Sequence, residues 1–420
     1  MKYLRPKGTK DLCKEQVAKW QQVEEKIKEI CKKYNISEIR TPVFENTELF
    51  TRSVGDETDI VNKEMYTFMD RGNRSMTLRP ENTAGVVRAY IENGMGSMPS
   101  PVKMWYLSNV YRYEKMQKGR YREFNQFGVE FFGSDKYLAD VEIMLVAIDI
   151  FKKLGISKEV KLNINSIGCK ECRAKYIEAL KAYVAANLED MCEDCKTRYE
   201  KNPLRIIDCK NAKCKNILKE KPLIIDYLCA DCNNHFTEVK SMLDTLEVEY
   251  EVNPDIVRGL DYYNRTVFEF ISKDLDLTIC GGGRYDTLVE ICGGAKTPAV
   301  GLGMGMERLV MVLEELDKIK VEENVDIYVA YLSAEQAKDA YKLAHELRQE
   351  GLTVEIDTLC RSFKAQMKQA DKLLAKHLIA LGEEELKSKI VTIKNMSNKD
   401  KSFTSDLNAK AIAFALSAIK

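Results

Sequence analysis

Histidine is scarce in this sequence: His235, His345 and His377 are the three present, and none stands in a segment with motif character. That argues against imidazole acid–base catalysis. Long apolar runs are missing too. None approaches the roughly 18 residues of a membrane span, and residues 1–14 are polar, without the apolar core of a signal peptide. The expectation is a cytoplasmic protein with no membrane contact. Net charge is also lacking, with 65 basic against 65 acidic residues. Any nucleic-acid binding must therefore come from local basic patches. There is no long internal repeat and no low-complexity tail.

What is present suits a soluble chain of two to three domains: 420 residues, 45% hydrophobic and 31% charged, against about 150 residues per domain. Thirteen cysteines in a reducing compartment argue against disulfides. Residues 12–34 carry Val17, Trp20, Val23, Ile27 and Ile30 at helical period. A strand broken by Pro42 follows at 38–44. Short β-like runs at 76–79, 102–106 and 127–132 favour an antiparallel sheet. Residues 140–154 predict a helix closed by Gly155. From 168 to 240 the text turns cysteine- and lysine-rich and helical, as an insertion would. The sheet is expected to resume at Arg258. After a charged linker at 317–324, strands at 326–331, 352–356, 378–381 and 391–394 alternate with helical stretches at 334–350, 362–376 and 407–419. That order predicts a small α/β domain with largely parallel pairing.

Three stretches carry chemistry. Arg258-Gly259-Leu260-Asp261-Tyr262-Tyr263-Asn264-Arg265-Thr266-Val267-Phe268-Glu269-Phe270 sets an arginine, an aspartate and a Tyr-Tyr pair before an alternating strand pattern, and Cys280-Gly281-Gly282-Gly283-Arg284-Tyr285-Asp286 follows. Glycines there let backbone approach a ligand closely, although a plain hairpin reads the same way. Arg112 and Glu114 lie two apart, so on a strand both project from one face. Such a pair can hold a phosphate and an amine together, and a solvated surface ion pair has the same spelling. Gly301, Gly303 and Gly305 flatten one strand face, leaving room for a flat ring, and Glu307-Arg308 opens a helix whose N-terminus suits phosphate.

Taken together these runs resemble the histidyl-tRNA synthetases, a class II aminoacyl-tRNA synthetase family. The 258–270 and 280–286 runs resemble its two histidine motifs. Leu78-Arg79-Pro80-Glu81-Asn82-Thr83-Ala84-Gly85 with Tyr111-Arg112-Tyr113-Glu114 and residues 120–130 resemble motif 2, and 301–310 resembles motif 3. Pro42 matches the motif 1 proline of the homodimer interface. The resemblance implies an α+β catalytic domain over 1–320, an antiparallel sheet flanked by helices, with the helical insertion at 168–240. An anticodon-binding α/β domain over 325–420 completes it. It implies ATP-dependent activation of L-histidine and transfer to tRNA(His). Joining a carboxylate to the α-phosphate gathers negative charge, so arginines and Mg2+ should dominate.

By the same resemblance Arg112 would meet the α-phosphate, Glu114 the adenine, and Arg308 the γ-phosphate. Arg258 would hold the histidine carboxylate with the α-phosphate. Glu81, Thr83 and Gln126 match positions for the α-amino group, and Glu130 and Tyr263 those reading the imidazole nitrogens. Tyr262, Tyr285 and Asp261 would line or brace the pocket. Where the family usually has glycine, this chain has Asn82, a residue that tolerates left-handed backbone. The rival reading is a non-catalytic histidine-binding regulatory paralogue of histidine biosynthesis, which typically lacks the second histidine motif and the anticodon domain.

Lys115, Lys118, Arg120 and Arg122 form a basic loop expected at the tRNA acceptor stem, and Arg361, Lys364, Lys368, Lys372 and Lys376 a basic face in the last domain. Eight cysteines fall in pairs, Cys169/Cys172, Cys192/Cys195, Cys209/Cys214 and Cys229/Cys232. The spacing of the first two pairs fits one four-cysteine zinc site, and the last two pairs could form a second. His235 is weighed both as a further ligand and as an ordinary surface residue. Such a metal would be structural.

Overall fold

The computed structural model describes residues 3–55, 58, 60–320 and 325–418. Of the expected linker, 321–324 lies outside the described residues, as does Ile419 of the last helix. Two compact units divide the chain, Met1–Ile319 and Lys320–Lys420.

In the larger unit eight strands form one sheet, in the spatial order Ser37–Glu38, Val102–Tyr111, Glu123–Phe132, Ala299–Gly305, Leu277–Arg284, Asn264–Ser272, Val160–Ser166, Glu251–Val252. The six long strands pair antiparallel, and a two-residue strand joins in parallel at each edge. Alternation sorts side chains to two faces. Phe127, Val129 and Phe131 pack with Phe268, Phe270 and Leu302 against helices Glu15–Lys33, Tyr137–Leu154 and Ala230–Thr245. The other face carries Tyr106, Phe132 and Val267 and is covered by helix Thr83–Glu92 and the helices of the insertion. Gly155 closes Tyr137–Leu154 in the left-handed conformation, as expected.

Register assembles the second face across the sheet. Glu130 pairs with Gly301, Gly301 with Gly283, and Gly283 with Val267. The next row runs Tyr106, Gly128, Gly303, Gly281, Glu269. Glycines thus occupy the middle of both rows.

Three expectations need correction. The segment around Pro42 yields two strands in different sheets: Ser37–Glu38 joins the large sheet, whereas Phe44–Asn46 pairs with Ser75–Leu78, flanked by Tyr66–Met69. A proline between them has no N–H for a ladder. Residues 76–79 accordingly belong to this small sheet. The large sheet resumes at Asn264, and 258–263 is loop.

In the smaller unit the order is Val354–Ile356, Ile327–Tyr331, His377–Leu381, Ile390–Asn395, Phe403–Asp406. Parallel pairing stops at His377–Leu381, and the last two strands run antiparallel. The six-residue helix Glu383–Ser388 is too short for a parallel crossover. Phe403–Asp406 is a half-exposed edge with no apolar alternation to announce it.

One buried ion pair ties strand Leu277–Arg284 to the core helices. Arg284 is fully buried, and its Nε and Nη2 donate to Asp140 on helix Tyr137–Leu154. Its Nη1 reaches Ser134 O at 2.7 Å and Asp286 Oδ1 at 3.0 Å. Burial pushes the Asp140 carboxyl up, but Arg284 and His235 outweigh it and hold it below the usual range. His235, in helix Ala230–Thr245, is therefore neither a surface residue nor a metal ligand: its Nε2 lies 3.3 Å from Asp140 Oδ2, with 8% of the side chain exposed. Removing one partner leaves a buried charge unmatched. Asp140→Ala is expected to cost about 3–5 kcal/mol in denaturant unfolding, and a loss below about 1 kcal/mol would show that the pair carries little.

Candidate active site

The N-terminus of helix Thr83–Glu92 builds one wall. Glu81 turns back so that Oε2 accepts from Thr83 N at 2.8 Å and Oε1 from Ala84 N at 2.7 Å. Those amides are free at any helix start and attract a carboxylate. Asn82 needs no left-handed backbone, since φ is −101°. Its side chain instead accepts from Ser108 Oγ at 2.8 Å and donates to Gln126 Oε1 at 3.2 Å. No local sequence signal announces this bridge, in which the amide does what a glycine could not.

Glu130 is the centre of the pocket. Its Oε1 accepts from Thr83 Oγ1 at 2.8 Å and from Tyr106 OH at 3.1 Å, and its Oε2 accepts from Tyr285 OH. A Cβ on Gly301 would collide with Glu130 Oε2, so the missing side chain is what leaves room for the carboxylate. Gln126 fills the space over Gly303 in the same way, 2.6 Å from a Cβ there. The glycine face thus holds protein side chains at these positions. Tyr262, Tyr263 and Tyr285 close around Glu130, with ring centroids 4.7 to 6.4 Å apart. Burial pushes the Tyr263 phenol up to about 12 against the pull of Arg258.

Farther along the same floor the charge turns positive. Arg258 lies over Gly281 and donates to Glu269, while its Nε is buried without a hydrogen-bond partner among the described residues. Arg112 donates Nε to Pro80 O at 2.7 Å and lies 5.5 Å from the Phe124 ring centre. Arg308, in the first turn of helix Met306–Glu315, donates to Gly119 O at 3.2 Å and Thr278 O at 2.8 Å. Burial and the guanidiniums of Arg120 and Arg112 lower its pKa, although Glu114 opposes them. Arg112, Arg258 and Arg308 line one cavity, and cations gathered there favour an anion among them.

A cavity of about 210 Å³ joins these parts. Glu81, Thr83, Arg112, Glu114 and Gln126 line it, as do Arg258, Tyr262, Tyr263 and Arg308. Tyr285 and Glu130 lie just behind, joined by their hydrogen bond. Asp261 stands outside and accepts from Asn202 Nδ2 at 3.2 Å, a brace. Of the basic loop, Lys118 is exposed, Arg120 turns inward to Glu114 at 3.0 Å, and Arg122 stacks 3.7 Å over Tyr113. In the smaller unit Lys364, Lys368 and Lys372 are exposed, whereas Arg361 pairs with Asp357 and Lys376 with Asp326. Sequence reasoning missed Tyr106, Ser108 and Glu269, strand residues with no local signal. Register alone brings them here.

The eight cysteines group differently from the expectation. Cys169, Cys172, Cys229 and Cys232 form one cluster, and Cys192, Cys195, Cys209 and Cys214 the other, each with its sulfurs within 4.8 Å of one another. The pairs nest: helix Lys170–Ala185 leads the chain out and helix Ala230–Thr245 brings it back, so the outer pairs meet and the inner pairs meet. Each cluster offers four soft ligands suited to a divalent metal such as zinc.

Burial pushes Glu130 up to about 8, from 4.5, despite its three donors. The folded state then holds a proton that the unfolded chain has released. Its contribution to stability is full below the unfolded value and is lost as pH rises through the folded one. Between 4.5 and about 8 on the pH scale the wild type should lose stability at up to about 1.4 kcal/mol per unit more steeply than Glu130→Gln. Parallel pH profiles in calorimetric unfolding would contradict this burial effect.

Comparison with known proteins agrees with this geometry. Residues 8–309 match the family profile described as histidyl-tRNA synthetase, and 326–413 the anticodon binding domain. A histidine–tRNA ligase of Acetivibrio thermocellus is 54% identical over 93% of this chain and 94% of its own, and one of Caldanaerobacter subterraneus 52% over the same shares. Among solved structures, apo histidyl-tRNA synthetase of S. aureus superposes with a TM-score of 0.82 at 37% identity, covering 99% of both chains. On these matches the chain belongs to the histidyl-tRNA synthetase family.

Proposed function

We propose that the protein is a histidine–tRNA ligase. It joins L-histidine to ATP as histidyl-adenylate, releases pyrophosphate, and passes the histidyl group to the 3′-terminal adenosine of tRNA(His). The observation that carries this reading is the order of groups along one strand. Glu130 stands over Gly301, Gln126 over Gly303 and Arg308 beside Gly305, a span of about 14 Å at about 3.4 Å per residue. A buried carboxyl at one end, able to donate or accept, suits an imidazole, an amide in the middle suits an amine, and cations at the far end suit phosphates. The three arginines and the anticodon-binding region also weigh against a non-catalytic paralogue.

Residue roles follow that order. Glu130 and Tyr263 read the imidazole nitrogens, with Tyr262 and Tyr285 holding them in place. Gln126, Glu81 and Thr83 face the α-amino group. Arg258 holds the carboxylate against the α-phosphate, and its Nε has hydrogen-bonding capacity to spare. Arg112 takes the α-phosphate, Glu114 the adenine and Arg308 the γ-phosphate. These guanidiniums are in place before charge develops at the transition state, so no proton shuttle is required. ATP enters with Mg2+, which spreads phosphate charge.

Lys118, Arg120 and Arg122 would meet the acceptor stem. The chain would work in the cytoplasm; no helix among the described residues is long and apolar enough to cross a membrane. It would pair as a homodimer beside Pro42, where Val43, Phe44, Phe68 and Met69 are exposed on or beside the small sheet. Structural Zn2+ in the insertion completes the assignment.

ATP–pyrophosphate exchange across the amino acids should respond to histidine alone, and a response to another amino acid would overturn the reading. Glu130→Ala should lower histidine-dependent exchange at least about tenfold, since unmatched buried hydroxyls cost about 1–3 kcal/mol, with ATP binding retained. Unchanged exchange would remove Glu130 from the imidazole site. Arg258→Ala should slow activation by roughly 10²–10³-fold yet spare transfer from preformed adenylate. Equal loss in both steps would make Arg258 a structural residue.

A further inference from the structure

The insertion reaches the loop that carries Arg258 and Tyr263 from two sides. Arg173, one residue past Cys172, donates Nη1 to Tyr263 O at 3.2 Å. Arg205, between Cys195 and Cys209 in the chain, donates Nη1 to Arg258 O at 3.3 Å. Asn202 donates to Asp261. Backbone adds a clip: Arg265 N donates to Gly168 O at 2.9 Å and Ile167 N to Arg265 O at 2.8 Å. Arg265 sits there at φ 53°, a conformation that persists only where its surroundings enforce it. Gly168 in turn lies under Cys172, whose Cβ occupies the space a side chain on Gly168 would need. Ile167, Gly168 and Arg173 lie within a few residues of Cys169 and Cys172, Arg205 stands four before Cys209, and Asn202 lies midway between Cys195 and Cys209.

The clusters have the geometry of metal sites. Cys169 and Cys172 sulfurs are 3.5 Å apart, Cys169 and Cys229 4.0 Å, and Cys192 and Cys209 3.7 Å. A tetrahedral Zn2+ with bonds of about 2.3 Å spaces its sulfurs by about 3.8 Å. Backbone N–H groups already point at the sulfurs, Cys229 N to Cys172 Sγ at 3.1 Å and Cys192 N to Cys214 Sγ at 3.3 Å. Cys169, Cys192 and Cys229 are the N-caps of helices Lys170–Ala185, Glu193–Lys201 and Ala230–Thr245. Cys172, Cys195 and Cys232 follow in their first turns. Two such helix starts converge on the first cluster.

We propose that the insertion is a two-zinc clamp on the 258–263 loop. Each cluster takes up one Zn2+ and releases its thiol protons to solvent, and the ordered clusters hold Arg173 and Arg205 against the backbone of Tyr263 and Arg258. Resting on the ligase reading for its catalytic consequence, the proposal makes Arg173 and Arg205 positioning residues for the histidine site. Zinc binding is then folding energy spent on the precision of that loop.

The metal count is tested by plasma mass spectrometry on full-length protein purified without chelators. Two zinc ions per chain are expected, falling to one in the Cys229→Ser/Cys232→Ser variant. One ion or none in the wild type, with the remaining thiols titrating freely, would overturn the two-site assignment. Protein loaded with Co2+ should show the intense visible bands of tetrahedral thiolate coordination, and their absence would count equally against it. The clamp is tested with Arg173→Met. This variant should keep both metals and the cobalt spectrum while its KM for histidine in pyrophosphate exchange rises roughly tenfold. KM for ATP should stay level, and Arg173→Lys should recover part of the loss. An unchanged KM for histidine, or an equal rise for ATP, would overturn the positioning role. A wild type with two zinc ions and no histidine-dependent exchange would sink the ligase reading and leave the metal sites standing.

Discussion

A carboxyl group shut away from solvent must find donors in the protein, and at Glu130 that demand organises the pocket. Tyr106 comes from the strand before it, Tyr285 from the loop after the triple glycine, and Thr83 from the start of a helix. Each arrives along a different piece of chain, so satisfying one residue fixes the spacing of three elements. Room for the carboxylate comes from Gly301 on the neighbouring strand. The rest of the site hangs on this contact. Gln126 and Arg308 follow at two-residue intervals on the same floor, and the tyrosine ring cluster packs behind.

Electrostatics divides the cavity into unlike halves. Around Glu130 desolvation dominates and favours neutral forms, so the carboxyl holds its proton until about 8. Around Arg258 and Arg308 burial works against charges that cannot be given up, because guanidinium does not deprotonate in this range. The crowding is relieved in part by Glu114 and Glu269, which pair with Arg120 and Arg258. A polyanion entering that half would replace weak internal compensation with strong compensation, and the pocket is arranged for that exchange before it occurs.

The motifs were legible in the sequence because their chemistry is local. Arg112 with Glu114, the glycine alternation at 301–305 and the Tyr262-Tyr263 pair each announce themselves over a few residues, and the structure gathers them in one cavity. Long helices were legible for the same reason, since Trp20, Val23, Ile27 and Ile30 repeat at helical period. What escaped depends on register or on chain reversal. Asp140 and Arg284 are far apart in sequence, and nothing in either neighbourhood names the other. The bridging role of Asn82 requires knowing that Ser108 and Gln126 face it. Nearest-neighbour pairing of the cysteine motifs failed because helices carry the chain out and back, which nests the pairs. The strand Phe403–Asp406 is a half-exposed edge, and edges give weak apolar signals.

The occupied space over Gly301 has an evolutionary consequence. Positions 130 and 301 share one volume, since a side chain at either excludes a large one at the other. Any descendant that placed a residue at 301 would first have to shorten Glu130, and one that shortened Glu130 alone would inherit a hole lined by three stranded hydroxyls. Either single step costs the pocket a buried contact before the double exchange can restore it. The shape of the pocket is thus kept by a steric coupling between neighbouring strands rather than by either residue alone.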